Sequence, residues 1–265
     1  MRGELGPING DVVADVGLEG PHYVGIELAL DPRPHAARLG EGSRVDDLLG
    51  RLPLPRRFGI LWFANATTVA EAKAAEKAGA DAIVAQGMEA GGHRGAFQAD
   101  EAEQQMVGLM ALLPQVVDAV NIPVIAAGGI ADPRGIAAAL ILGASAVQIG
   151  TGFLRSPEAK THPAYADRLA NTEAHETMIT RAFSGRPGRS VATAYVRAAN
   201  ASNAPRPAPY PVQRGLTRAM REAARQTGDS DRMQLWAGQS AKLAQNQPAG
   251  TIAKPLWRDA SSLLS

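Results

Sequence analysis

Cysteine is missing from all 265 residues, and aromatic residues make up only 5%. Without thiols there are no disulfides, no thiolate nucleophile, no zinc finger and no Cys-ligated iron–sulfur cluster. A dominant charge is missing too: 27 Lys and Arg stand against 26 Asp and Glu, a net charge of +1. No overall field gathers nucleic acid or an anionic membrane, so neither is expected as a partner. The longest near-apolar run, residues 136–150, is interrupted by Gly and Ser. It falls short of the roughly 18–20 residues of a membrane span. Met1-Arg2-Gly3-Glu4 is followed by no apolar core with a small-residue cleavage site, so no signal peptide is expected. The chain reads as cytoplasmic. No set of His, Asp and Glu has metal-ligand spacing, and no metal site is expected.

Hydrophobic residues make up 45% and charged residues 20%, the balance of a globular chain able to bury a core without staples. Three regions differ in character. Residues 1–57 are rich in Gly, Pro and Arg, with short β-like runs at 12–16 and 23–30 and breakers at 33–34 and 52–55. Residues 58–155 alternate strand and helix signals. Residues 156–265 read as mostly helical, broken by a proline-rich loop at 204–211.

The middle region is the most legible. Residues 59–63 form an apolar run of strand length, and Thr68-Val69-Ala70-Glu71 has the form of a capping box. The helix it opens stops at Gly79. A strand at 82–85 ends in Gln86-Gly87, a helix covers 107–120, and a strand at 123–127 ends in Gly128-Gly129. Asp132-Pro133 supplies an N-cap and a first-turn proline for a helix ending at Gly143. A strand at 146–149 runs into Gly150-Thr151.

Alternation of this kind predicts parallel βα units, and strands without polar alternation predict a sheet covered on both faces. Ligands then sit beyond the strand C-termini, where Gln86, Gly128-Gly129 and Gly150-Thr151 all fall. Glycines let the backbone approach a ligand, and exposed N–H groups at a helix start favour an anion, usually phosphate. Between Gln86 and Gly95 lies a glycine-rich loop carrying His93, whose ring can change protonation near neutral pH. Gln86 offers both donor and acceptor atoms to a ring's heteroatoms. His22, His35, His162 and His175 sit beside prolines or helical polar residues and are given no functional role.

The segment Ala85-Gln86-Gly87-Met88-Glu89-Ala90-Gly91-Gly92-His93-Arg94-Gly95 resembles the signature of the nitronate monooxygenases, formerly 2-nitropropane dioxygenases. The resemblance extends through Ala66-Thr67-Thr68-Val69-Ala70-Glu71-Ala72 and Pro123-Val124-Ile125-Ala126-Ala127-Gly128-Gly129-Ile130. It continues through Gly143-Ala144-Ser145-Ala146-Val147-Gln148-Ile149-Gly150-Thr151, Ser184-Gly185-Arg186-Pro187 and Leu235-Trp236-Ala237-Gly238-Gln239.

The resemblance implies an α/β, TIM-barrel-like flavoprotein fold with FMN as cofactor. The implied reaction is oxidation of alkyl nitronates, or nitroalkanes, by dioxygen to a carbonyl compound and nitrite. By position, His93 matches the catalytic histidine, Gln86 a flavin-contacting glutamine and Gly91 a backbone contact to the cofactor. Gly128, Gly129, Gln148, Gly150 and Thr151 match the FMN phosphate and ribityl region. Ser184 to Pro187 match a recurrent stretch to which the sequence assigns no role.

The family's Gln-Ala-Pro-Met-type opening strand and its FMN-contacting asparagine find no match in residues 1–57. A βαβ unit takes about 30 residues or more, so four βα repeats do not fit there and an incomplete barrel is expected. Open sheet edges then predict self-association. Two alternatives accompany this reading. One is a flavin-dependent enoyl-acyl-carrier-protein reductase, whose loop also reads Glu-Ala-Gly-Gly-His. The other is a non-catalytic remnant that binds FMN weakly.

Overall fold

The computed structural model describes residues 26–29 and 61–265. The β-like run at 12–16, the breakers at 33–34 and 52–55, and the start of the expected strand at 59–63 lie outside the described residues.

Strand β1 (Ile26–Ala29) falls within the β-like run read at 23–30. Strand β2 (Phe63–Ala66) starts where the expected 59–63 strand was to end. The shift has a physical cause. Pairing Phe63 with Ala82 and Ala66 with Ala85 fixes the register, and Asp81 closes its near end by accepting from the Trp62 N–H at 2.7 Å. The Ala64 and Ala66 side chains then bury under the first helix, at a position where strand propensity is weak and packing decides.

Helix α1 (Val69–Ala78) begins with the expected capping box between Thr68 and Glu71 and ends on Gly79 at φ 97°. Strand β3 (Ala82–Gln86) is buried along its whole length. After the short β4 (Gly92–His93) comes α2 (Leu109–Val117), shorter than the 107–120 expected from apolar spacing. Gly108 caps it without a side chain, and both carboxylate oxygens of Glu89 accept from the Leu109 N–H at 2.9 and 3.0 Å. Strand β5 (Val124–Ala127), α3 (Pro133–Ile141) and β6 (Ala146–Ile149) follow as read, with Asp132 accepting from the Gly135 N–H at 2.9 Å.

These strands form one sheet in the order β1-β6-β5-β3-β2. β2, β3, β5 and β6 run parallel, as in a TIM-barrel-like α/β fold, while β1 lies antiparallel to β6. Alternation divides the side chains between two faces. Ala64, Ala66, Ile83, Ala85, Val124, Ala126, Val147 and Ile149 join the main core with the helices. Phe63, Ala82, Val84, Ile125, Ala127 and Ala146 form a separate, smaller apolar cluster. Each fully buried Ile or Leu in the main core contributes about 1.5–3 kcal/mol.

Helix α4 (Pro163–Ala170) opens the C-terminal part, followed by β7 (Thr177–Thr180) and β8 (Gly188–Val191). These strands carry no clear signal in the sequence, yet with β4 they make a second, antiparallel sheet ordered β4-β8-β7. Helices α5 (Ala194–Ala199), α6 (Val212–Leu216), α7 (Arg218–Thr227) and α8 (Ala249–Leu264) complete the chain. Helix α8 lies against α3 and adds Ile252, Ala253, Leu256 and Ala260 to the main core. No described helix is long and apolar enough to cross a membrane.

Candidate active site

The candidate site forms where the two sheets meet. β3 ends at Gln86, and the loop after it returns as β4, placing Gly92 and His93 opposite Arg189 and Gly188 of β8. A glycine at 92 allows the φ of 78° that makes this turn. His93 is half-buried, and its Nε2 lies 2.7 Å from Ser184 Oγ. The ring packs 5.1 Å from the ring of Trp236 and edge-on to Tyr210 at 6.1 Å. Ser184 in turn accepts from the Arg186 N–H and faces the Arg186 carbonyl, both at 3.3 Å. Its single proton goes either to His93 Nε2 or to that carbonyl. In the second case Nε2 is the protonated nitrogen and donates to Ser184.

Gln86 is buried and orders the loop. Its Nε2 donates to the His93 carbonyl at 3.2 Å, and its Oε1 accepts from the Gly95 N–H at 2.9 Å. One N–H and one lone pair of the amide remain for a further partner.

Three arginines clamp the same loop. Arg94 is buried and donates to the Gly87 carbonyl at 2.7 Å and the Gln86 carbonyl at 3.2 Å. Arg186 reaches the carbonyls of Arg94 and Ala96, and Arg189 donates to the Met88 carbonyl at 2.9 Å. Burial, and after it the neighbouring Arg189 cation, lower the Arg94 pKa to about 10, against the opposing pull of Glu89 and Glu71. Arg94 therefore stays a cation at neutral pH. Glu71 also serves the loop, accepting from the Phe97 N–H at 2.6 Å while its other oxygen takes Thr67.

The glycines expected at a cofactor divide into two groups. Gly91 is fixed by protein packing, since a Cβ there would meet Gly238 N at 2.4 Å and the Ala237 carbonyl carbon at 2.6 Å. Gly128 sits at φ 116° against Ala90, and Gly129 at φ 72° is exposed. Gln148 and Gly150 are exposed at the end of β6, and the half-buried Thr151 accepts from the Gly238 N–H at 3.0 Å. Gly129 and Gly150 expose backbone after β5 and β6, with Ala90 packed beside Gly128 and the Glu89 stem beside Gly129. That backbone fits a phosphate, and the amides of Gln86 and Gln148 fit a polar ring system. Asp132 already accepts from one N–H of the α3 N-terminus and is paired with Arg134. The glycine turns are therefore left as the main anion cradle. A cavity of about 620 Å³ opens at the other end of the strands, between Asp81, Val117, Asn121, Gly143 and Ser145. It is remote from His93 and belongs to no part of this arrangement.

Sequence reasoning missed Ser184, Arg186, Arg189, Tyr210 and Trp236 as neighbours of the histidine loop. The quoted stretches at 184–187 and 235–239 flagged some of them, but no local pattern said what they would touch.

The sequence pattern of the nitronate monooxygenases matches residues 10–259. The chain belongs to this family. The nitronate monooxygenase match reaches beyond the motifs on both sides, taking in most of the N-terminal region that those motifs left unassigned. A protein from Staphylococcus aureus (strain Newman) named "probable nitronate monooxygenase" is 47% identical over 211 residues, covering 80% of this chain and 58% of that protein. The structure of a nitroalkane oxidase from Streptomyces ansochromogenes superposes with a TM-score of 0.73 at 42% identity, covering 82% of this chain and 61% of that one. The structure of FabK from Thermotoga maritima gives a TM-score of 0.68 at 33% identity, covering 82% and 66%. This nitronate monooxygenase family member thus spans under two thirds of the length of the first two relatives.

Proposed function

We propose that this chain oxidises alkyl nitronates, or the parent nitroalkanes, with dioxygen to a carbonyl compound and nitrite, using FMN. The observation that carries this reading is His93. Its ring is oriented by Ser184 and walled by Trp236 and Tyr210, beside strand ends whose glycines and amides suit a flavin nucleotide. Gly128, Gly129, Gly150 and Thr151 would take the phosphate, and Gln86 and Gln148 the ribityl and ring atoms. When bound, FMN accepts electrons from the substrate and passes them to dioxygen.

The residues of the chain do the rest. A neutral nitroalkane must lose its α-proton, and His93 takes it at whichever ring nitrogen carries the lone pair. Ser184 selects between tautomers: a hydroxyl that donates to the Arg186 carbonyl leaves Nε2 protonated, and one that donates to Nε2 leaves the proton on Nδ1. A preformed nitronate needs no base, and a protonated ring donates to its oxygens. Trp236, backed by the buried Phe183 ring at 5.8 Å, covers one side of the imidazole.

The test is nitrite release from a preformed nitronate by the FMN-saturated chain, with dioxygen consumed alongside. Absence of both, with flavin bound, removes the reading. The likeness to FabK supports the alternative, a flavin-dependent enoyl-acyl-carrier-protein reductase. NADH oxidation driven by an enoyl thioester, without nitrite release from nitronate, would favour it.

A further inference from the structure

We infer that Asn65 is an additional contact for the flavin ring, placed on the strand farthest from the phosphate turns. The inference rests on the flavin reading above.

Alternation along β2 puts Ala64 and Ala66 in the main core and leaves Asn65 on the other face, exposed. The same face carries Gln86 and Gln148. Register confirms their alignment: Gln86 pairs with Ala127 and Ala127 with Gln148, while Asn65 pairs with Val84, two residues before Gln86. On β2, β3, β5 and β6 this face is otherwise apolar, built from Phe63, Ala82, Val84, Ile125, Ala127 and Ala146. Three carboxamides near its C-terminal edge are its polar content among these strand residues.

The Asn65 amide has no hydrogen-bond partner among the described residues, yet its position is confined. A Cβ on Gly95 would lie 2.6 Å from Asn65 Cγ, 2.7 Å from Nδ2 and 2.9 Å from Oδ1. The amide therefore rests against the Gly95 backbone, whose N–H binds Gln86 Oε1. Asn65 and Gln86 flank one glycine, two residues from His93. Glycine at 95 is what allows the amide to sit there.

Spacing sets the role. Adjacent strands lie about 4.8 Å apart, so β6 and β2 are separated by three steps, or about 14 Å. The phosphate turns follow β5 and β6. A flavin held at those turns and laid across the strand ends would bring its ring past Gln86 toward Asn65. A flavin ring edge carries both acceptors and a donor, and a carboxamide answers both.

The test compares FMN with riboflavin, by fluorescence quenching, for wild type, Asn65→Leu and Asn65→Ala. Losing one ring contact should weaken both ligands about tenfold and by the same factor, because the phosphate is untouched. Apo-protein melting should stay unchanged, since the amide bonds nothing in the protein. Unchanged affinities, or a loss confined to FMN, overturn the assignment of Asn65. So does a fall in melting temperature common to both variants, which would make Asn65 a packing residue. A wild-type chain that binds neither flavin overturns the flavin reading itself.

Discussion

The two walls around His93 are held in different ways. The parallel sheet with α1, α2 and α3 is fastened mainly by short-range devices: Thr68 with Glu71, Gly79 as a left-handed stop, Asp132 with Gly135. The wall built from residues 177–239 is fastened by bonds across long stretches of chain. Ser184 meets His93, Arg186 meets Ala96, Arg189 meets Met88, and the Gly238 N–H meets Thr151. Tyr165 donates to the Trp236 carbonyl, and burial raises its pKa, so it remains a neutral donor. The loop from Gln86 to Ala96 is held from both sides, by Gln86 and Glu71 of the first wall and by Ser184, Arg186 and Arg189 of the second. Perturbing that loop should therefore damage chemistry and flavin binding more than it damages the helical core.

The largest expected effect is on chemistry. His93→Asn should lower turnover of a neutral nitroalkane by about 10²–10⁴-fold, the usual worth of general-base catalysis. Turnover of the preformed nitronate should persist, because that substrate has no proton to give up. Steady-state rates for both substrates on one FMN-saturated preparation check this. Equal losses on both would show that His93 only shapes the loop.

Next comes the clamp. Arg94→Met removes a buried donor from the Gln86 and Gly87 carbonyls, and because the Gly87 carbonyl keeps the Ala90 N–H at 3.2 Å the expected cost is about 1–3 kcal/mol in all. Chemical denaturation should show this loss. Arg94 itself adds no pH dependence near neutrality. With a folded pKa of about 10 against 12.5 for the free side chain, it is charged in both states at lower pH. Only above about pH 10 does the folded form release its proton first, and there its contribution to stability rises with pH. A melting temperature that titrated between pH 6 and 9 in wild type but not in Arg94→Met would contradict this.

Gly91→Ala attacks the seam between the walls. The added methyl would press on the Ala237–Gly238 backbone, and overpacking of this kind costs about 1–3 kcal/mol. FMN and riboflavin should weaken together. A loss restricted to FMN would mean that Gly91 serves the phosphate.

This contrast also explains what the sequence disclosed. The βα units were legible because caps, glycine stops and apolar spacing act within a few residues. Asp132, Gly79 and the Thr68–Glu71 box all do what their spacing implies. The β2 strand was misplaced because pairing with β3, not the apolar run, sets its register. The β7–β8 hairpin was missed because a Gly188–Val191 strand rich in polar residues draws its stability from β4 and from Trp236 across the chain. In the site, glycine-rich strand ends pointed to a nucleotide cradle, and His93 stood out by its loop. Ser184 gave no such signal: a serine in a Gly-Pro turn is ordinary until the fold brings it to the imidazole. Gly91 shows the opposite error available to sequence reading, since packing alone is enough to require it.

The smallest effect separates the phosphate from the rest of the cofactor. Asp132 is ionised at neutral pH: burial by itself would raise its pKa, but the Gly135 N–H and the Arg134 cation outweigh it and hold the value below the ordinary 3.8. The stability it gives α3 is present above that ordinary value and fades as pH falls through the lower folded one. Its charge lies three residues after Gly129, near where the phosphate would sit. Asp132→Asn keeps the capping oxygen but removes the negative charge. Helix-end charges are worth about 0.3–1 kcal/mol at low ionic strength, so FMN affinity should rise roughly two- to fivefold. Riboflavin affinity should not move, and added salt should erase the gain. The same variant should lose a few tenths of a kcal/mol in stability as the helix end loses its favourable charge. Stability and affinity moving in opposite directions is the signature to look for. An FMN-to-riboflavin affinity ratio that stays constant in Asp132→Asn would remove the phosphate from the Gly128–Gly129 turn and leave that turn a structural element of the β5–α3 connection.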